Sequence, residues 1–176
     1  MVTLKEKVQH ALDLMSFALD SDQQVFFHEI HANPPRVLDV RTNDKGQPVV
    51  QFEFNTKSFM RNHMDATHGG ALTTILDWYS SMAAVADERY WSKEDRLPTV
   101  QEIIRCGEDM GLSRSLKSQF MRPVPVDTTV LLECRVLSNG KKSSCISMTI
   151  YDEDGRPLYE GLHDKIKLYK PIETKL

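Results

Sequence analysis

The sequence predicts an α+β fold in which an antiparallel sheet curls around one long helix. Three observations carry that reading: the apolar period switches from about 3.6 to 2 after Pro35, a proline-free helical stretch follows, and four strand-like segments come after it in succession.

From Leu4 to Asp20, the residues Leu4, Val8, Ala11, Leu12, Met15 and Leu19 recur at three- and four-residue intervals, as one stripe of a helix does. A second short helix is expected over Gln23–His31, ended by Asn33-Pro34-Pro35. Val37–Thr42 and Val49–Asn55 then flank Asn43-Asp44-Lys45-Gly46, a hairpin whose glycine supplies the positive φ. The stretch Gly69–Ala86, GGALTTILDWYSSMAAVA, is apolar or small on nearly every face, so a helix buried all round is expected. Its threonines, serines and one carboxylate, Asp77, make it too polar for a membrane span.

Asp87–Arg96 reads as a solvated loop or helix end, and Pro98–Gly107 as a short helix. Strands are expected over Leu112–Met121, Thr129–Leu137, Ser144–Tyr151 and Leu158–Leu168, with turns at Asn139-Gly140 and Asp154-Gly155. No repeat or linker interrupts the order, so residues 1–176 are read as one domain. Residues 1–35 form a helical extension and 36–168 the core.

A chain of 176 residues, 40% hydrophobic and 27% charged, has the composition of an ordinary globular domain. A net charge of -3 gives no basic field for a phosphate backbone, which argues against nucleic acid as a partner. Cys106, Cys134 and Cys145 form no CxxC pair and read as buried thiols in a reducing compartment. The N-terminus lacks the marks of a signal or transit peptide. Cytoplasm or mitochondrion is therefore expected, with a weak peroxisomal hint in Thr174-Lys175-Leu176.

The most informative residue is Asp77, which has no charged neighbour for eight residues on either side. An unpaired buried carboxylate costs several kcal/mol, so its place in an apolar helix signals either a use or a partner. The alternative is a backbone cap or an exposed sector of the helix. His68-Gly69-Gly70 sets an imidazole and two residues without side chains at the helix start, where free N–H groups and the dipole favour an anion. Close packing of the glycines and a hydrogen-bonded His68 are the competing readings. Gly69 and Asp77 lie about 12 Å apart at roughly 1.5 Å per residue, too far to serve one reacting centre. If both act together, the second comes from an antiparallel partner helix, so a two-fold dimer with sites at its interface is expected.

The stretch Asn62-His63-Met64-Asp65-Ala66-Thr67-His68-Gly69-Gly70, followed by Asp77, resembles the PaaI-type hotdog-fold acyl-CoA thioesterases. Gly111-Leu112-Ser113 through Phe120-Met121-Arg122-Pro123, and the spacing on to Asn139-Gly140-Lys141, are similar as well; the likeness spans Arg36 to Leu168. The resemblance implies hydrolysis of acyl-CoA to a free acid and coenzyme A, with no metal or redox cofactor. It implies Asp77 as the base or nucleophile acting on water, Ser113 positioning that water, and the Gly69 amide with Asn62 polarising the thioester carbonyl. It further implies His68 supporting Asn62 or the leaving thiolate. Gly70 joins the substrate-binding candidates, and a homodimer or a dimer of dimers is expected.

Three departures stand out. Asp87–Met110 is longer than usual and bears on the acyl pocket; Ser115 stands where some relatives carry an acid; and the N-terminal helices extend the minimal domain as an oligomer contact or a lid. Lys141, Lys142 and Ser143, and separately Arg122, are candidates for the phosphates of coenzyme A, or else a solvated hairpin tip. Trp78, Tyr79, Met82 and Met110 either line an acyl tunnel or belong to the core, with core favoured.

Competing chemistries find less support. The close histidine pairs, His28 with His31 and His63 with His68, have no evident third ligand for a metal. No GxSxG elbow is present, and Cys106 has no histidine beside it. A hotdog hydratase or dehydratase, and a non-catalytic acyl-CoA-binding regulator, share the fold and remain the alternatives.

Overall fold

The computed structural model describes residues 1–19, 28–91 and 94–167. Its strands are β1 (Arg36–Thr42), β2 (Pro48–Asn55), β3 (Leu112–Phe120), β4 (Thr129–Asn139), β5 (Ser143–Tyr151) and β6 (Pro157–Ile166). They form one antiparallel sheet in the order β1-β2-β4-β5-β6-β3. Helices α1 (Leu4–Leu19), α2 (His28–His31), α3 (Gly69–Ala84) and α4 (Val100–Met110), with short 3-10 turns at Ser58–Met60 and Glu88–Tyr90, complete the described elements. The central helix α3 touches β2, β3, β4, β5 and β6, which is the α+β wrap expected from the sequence.

The hairpin of β1 and β2 closes as its turn residues dictate. Asn43 Oδ1 accepts from the amides of Lys45 and Gln47, and Gly46 takes φ +72°. Alternation then sends Val50, Phe52 and Phe54 inward from β2, and Val130, Leu132, Cys134 and Val136 inward from β4. Ile146, Met148 and Ile150 of β5 face the same core, where Ile75, Leu76 and Tyr79 of α3 are fully buried. Each such side chain contributes about 1.5–3 kcal/mol of burial. At Gly161 of β6, a Cβ would meet the Leu76 side chain at 2.6 Å, so a glycine lets helix and sheet approach here.

The two sheet edges differ. On β1, Gln9 of α1 accepts from the Val37 amide at 2.6 Å, and Val8, Ala11 and Leu12 bury the helix against the core. Among the described residues nothing pairs with the outer edge of β3, and nearly every residue from Leu112 to Phe120 is exposed.

Several expectations change in detail. The second helix is seen only as His28–His31; the rest of Gln23–His31 lies outside the described residues, as do Leu168 and Thr174-Lys175-Leu176. The helix expected over Pro98–Gly107 runs from Val100 to Met110, because Thr99 and Glu102 form a capping box after Pro98. The central helix is not buried all round. Its C-terminal half is, but Gly70, Thr74, Asp77 and Trp78 form a stripe that opens beside the bare edge of β3. No described helix is long and apolar enough to cross a membrane.

Candidate active site

Asp77 sits on that open stripe with its side chain 47% exposed. The expectation of a buried carboxylate is therefore corrected for this chain: α3 turns its polar sector to the uncovered edge rather than into the core. The carboxylate still has specific partners. Ser113 Oγ donates to Asp77 Oδ1 at 2.6 Å, and His163 Nε2 lies 3.0 Å from Ser113 Oγ and 3.3 Å from Asp77 Oδ1. Among the described residues, nothing donates to Asp77 Oδ2. That oxygen is open to water.

The sequence places Ser113 through two backbone devices. Gly111 ends α4 at φ +72°, and a Cβ there would stand 2.3 Å from the Ile166 carbonyl, so only glycine lets β3 start against β6. A bulge between Ser113 and Ser115 then flips the register: Ser113 pairs with Lys165, whereas Ser115 pairs with Asp164. Cross-strand partners share a face, so Ser113 joins the inner side with His163 and Lys165, and Ser115 falls on the other.

His163 and Lys165 were not singled out by the sequence reading. His163 is 0% exposed and Lys165 5%. Burial, aided by the Lys165 charge, holds the imidazole at about 4, well below its ordinary 6.5, so it is neutral near pH 7. Protons follow from the network. Ser113 donates its one proton to the carboxylate, so His163 presents Nε2–H to Ser113 Oγ, while His163 Nδ1 lies 2.7 Å from Ser80 Oγ, whose hydroxyl donates to the Leu76 carbonyl. Lys165 Nζ donates to Ser81 Oγ at 2.9 Å, and burial lowers its affinity for a proton while Asp77 partly restores it. The signal available in the sequence was the alternate-position set His163, Lys165, Lys167 on one strand face.

At the other end of α3, His68 is the N-cap, and its Nδ1 accepts from the Gly70 amide at 2.9 Å. Gly70 is thus corrected as an anion donor: its N–H is already used. The same bond leaves His68 Nε2 as the protonated nitrogen, facing outward. The Gly69 amide donates to no group among the described hydrogen bonds, and a Cβ added at Gly69 would stand 3.2 Å from the Phe120 ring. Asn62 Oδ1 accepts from the amides of Met64 and Ala66, so the side-chain NH₂ is the end left for a ligand. Arg122 is exposed at the end of β3 and donates to the Pro157 carbonyl.

Lys141 and Lys142 lie in the β4–β5 turn and Ser143 starts β5, where it pairs with Ile166, and Ile166 with Leu112. Two strand spacings of about 4.8 Å separate that turn from the start of β3. The predicted set therefore falls into two groups in one chain. Asp77, Ser113 and the Lys141–Ser143 turn lie toward one end; Asn62, His68, Gly69, Gly70 and Arg122 lie toward the other.

Beside Asp77 opens a cavity of about 810 Å³. It runs between α1 (Leu14, Met15), α3 (Trp78, Met82) and α4 (Ile103, Ile104, Met110), with Asp77, Ser81, Ser113 and Lys165 among its lining. Of the four residues for which the sequence favours a core role, Trp78, Met82 and Met110 line this cavity, while Tyr79 is core, its hydroxyl donating to the Ile30 carbonyl. Among the described residues, no cluster of three histidine, cysteine or acidic side chains is placed to hold a metal.

Comparison with known proteins agrees with this architecture. The Thioesterase superfamily profile matches residues 64–159. Zebrafish thioesterase superfamily member 2 superposes with a TM-score of 0.67 at 19% identity, covering 96% of this chain and 100% of that one. A hypothetical thioesterase from Streptococcus pneumoniae, solved with coenzyme A, gives 0.56 at 12% identity over 76% and 85%. The Escherichia coli PaaI protein from the phenylacetic acid degradation operon gives 0.54 at 12% identity over 91% and 92%. No curated protein sequence matches the chain. With more than half its length matched by the profile and the hotdog fold shared by its structural neighbours, this chain belongs to the thioesterase superfamily.

Proposed function

We propose that the protein hydrolyses acyl-CoA thioesters, with each site assembled from two chains. The observation that carries the reading is the Asp77–Ser113 hydrogen bond at 2.6 Å, with Asp77 Oδ2 free, at the mouth of an apolar cavity. Coenzyme A bound in the Streptococcus pneumoniae neighbour supports the ligand class.

Water on Asp77 Oδ2 loses a proton to the carboxylate as its oxygen attacks the thioester carbon. Ser113 holds Oδ1 and fixes the carboxylate plane, and His163 holds Ser113. The carbonyl oxygen, gaining charge, accepts from the partner chain's Gly69 amide and Asn62 side chain, at the positive end of α3. The C–S bond then breaks, and the thiolate takes the proton held by the acid formed on Asp77, with His68 Nε2–H placed to hydrogen-bond the departing sulfur. Lys141 and Lys142 offer charge to the nucleotide phosphates. Neither α3 alone nor its own loop provides both halves, because about 12 Å separates them at roughly 1.5 Å per residue. The bare β3 edge beside Asp77 is where an antiparallel second copy would extend the sheet.

The test is thiol release from a panel of acyl-CoAs by the protein and by Asp77→Asn. The substitution keeps size and shape but removes the base, so kcat should fall by about 10²–10⁴-fold with the fold intact. Tight acyl-CoA binding with no turnover in the unsubstituted protein would replace the hydrolase by a ligand-binding regulator.

A further inference from the structure

We propose that the cavity between α1, α3 and α4 holds an unbranched aliphatic acyl chain and that Gly107 sets how long that chain is. The inference rests on the hydrolase reading for the chemistry at Asp77, and goes beyond it in naming the substrate class and the residue that selects it.

Four observations converge. The polar groups of the cavity are gathered at one place: Ser113 bonds Asp77, Lys165 bonds Ser81, and Ser113 and Lys165 are cross-strand partners. The rest of the wall is aliphatic or thioether, with Trp78 its one aromatic side chain. Apart from the Trp78 indole N–H, the described side chains of that wall carry no acceptor for the hydroxyl of a phenolic acid and no cation for the far carboxylate of a dicarboxylic acid. A flexible hydrocarbon leaves no polar group unpaired there.

The volume of about 810 Å³ belongs to a drug-sized ligand, well beyond what an acetyl group fills. Val100 and Ile104, one turn apart on α4, line the cavity while 58% and 47% exposed, an apolar surface that an occupant would cover. Gly107 comes one turn nearer the C-terminus, inside α4, where glycine costs about 0.5–1 kcal/mol against alanine. Backbone geometry does not ask for it, since its φ is not positive, and among the described residues no atom beyond its own turn of helix lies within 4 Å of where its Cβ would be. Helix propensity argues against a glycine here and packing does not require one. What it leaves is space in the cavity wall.

The experiment measures kcat/KM for straight-chain acyl-CoAs from acetyl to palmitoyl, in the unsubstituted protein, Gly107→Ala and Gly107→Leu. In the unsubstituted protein kcat/KM should rise about fourfold per added methylene until the cavity is full. The ratio of the best long chain to acetyl should fall about fourfold in Gly107→Ala, which adds one methyl and favours the helix, and at least about tenfold in Gly107→Leu. An unchanged ratio in both folded variants, or a preference for phenylacetyl- over every straight-chain acyl-CoA, overturns the assignment.

Calorimetry with non-hydrolysable S-alkyl-CoA thioethers separates the two readings. Affinity that rises with alkyl length and falls in Gly107→Leu, without turnover of any thioester, would keep the aliphatic site and sink the hydrolase. Turnover with no length dependence would do the reverse. Alkyl-CoA affinity indifferent to Gly107, with α4 protected from hydrogen exchange only on self-association, would give the apolar face to a second copy and overturn the proposal.

Discussion

At the residue scale, His163 gives the sharpest prediction, because it is a fully buried base with polar neighbours on three sides. Ser80 on α3, Ser113 on β3 and the charges of Asp77, Asp164 and Lys165 surround it. Its folded proton affinity is depressed, so between pH 6.5 and about 4 the unfolded chain binds a proton that the native one refuses. The stability contribution is complete above about 6.5 and is lost as pH falls through that window. Denaturant titrations across pH 4–7 should show this slope, and His163→Gln should flatten it; an unchanged slope would mean another group titrates. The sequence could reveal Asp77 because a lone charge in an apolar run stands out. It hid His163 because β6 reverses the usual pattern, with Leu162 and Ile166 facing away from α3 and His163, Lys165 and Lys167 buried. An alternating strand states a period but not which face is inner.

At the element scale, the site depends on how α4 hands over to β3. Glu102 caps the helix start and is held at about 2 by Arg96 and the Thr99 amide, while Gly111 ends the helix against the Ile166 carbonyl. Gly111→Ala should therefore cost stability by more than the helix-propensity gain of alanine, and should lower kcat beyond what residual folding explains, because Ser113 is two residues on. Activity per folded molecule, with the folded fraction read by near-ultraviolet circular dichroism, measures this. A stable Gly111→Ala protein with full activity would show that the handover does not position Ser113. The elements themselves were legible from the sequence, since the hairpin, α3 and the later strands carry strong periods. The bulge between Ser113 and Ser115 was not: it is set by pairing with Lys165 and Asp164, fifty residues away.

At the scale of the whole molecule, one chain holds both halves of the proposed site but keeps them apart along α3. The covered β1 edge and the bare β3 edge make the sheet asymmetric, and a two-fold partner across β3 would remove the exposed edge while bringing Gly69 and Asn62 to the other chain's Asp77. Sedimentation should then give twice the 20.2 kDa of one chain, or four times if dimers pair. That division was readable from the sequence as a distance, since eight residues of helix cannot fold back on themselves. The role of residues 87–110 was not, because Val100, Ile103, Ile104 and Met110 face a cavity whose other wall is α1, far off in sequence.

Complementation tests the shared site most directly. Asp77→Asn removes the base, and Asn62→Asp removes the amide donor while keeping an acceptor for the Met64 and Ala66 amides. Each variant alone should be inactive. Mixed and re-equilibrated in equal amounts, half the dimers are hybrids with one of two sites intact, so activity should return to about a quarter of that of the unsubstituted protein. Hybrids that form but stay inactive would contradict a site shared between chains.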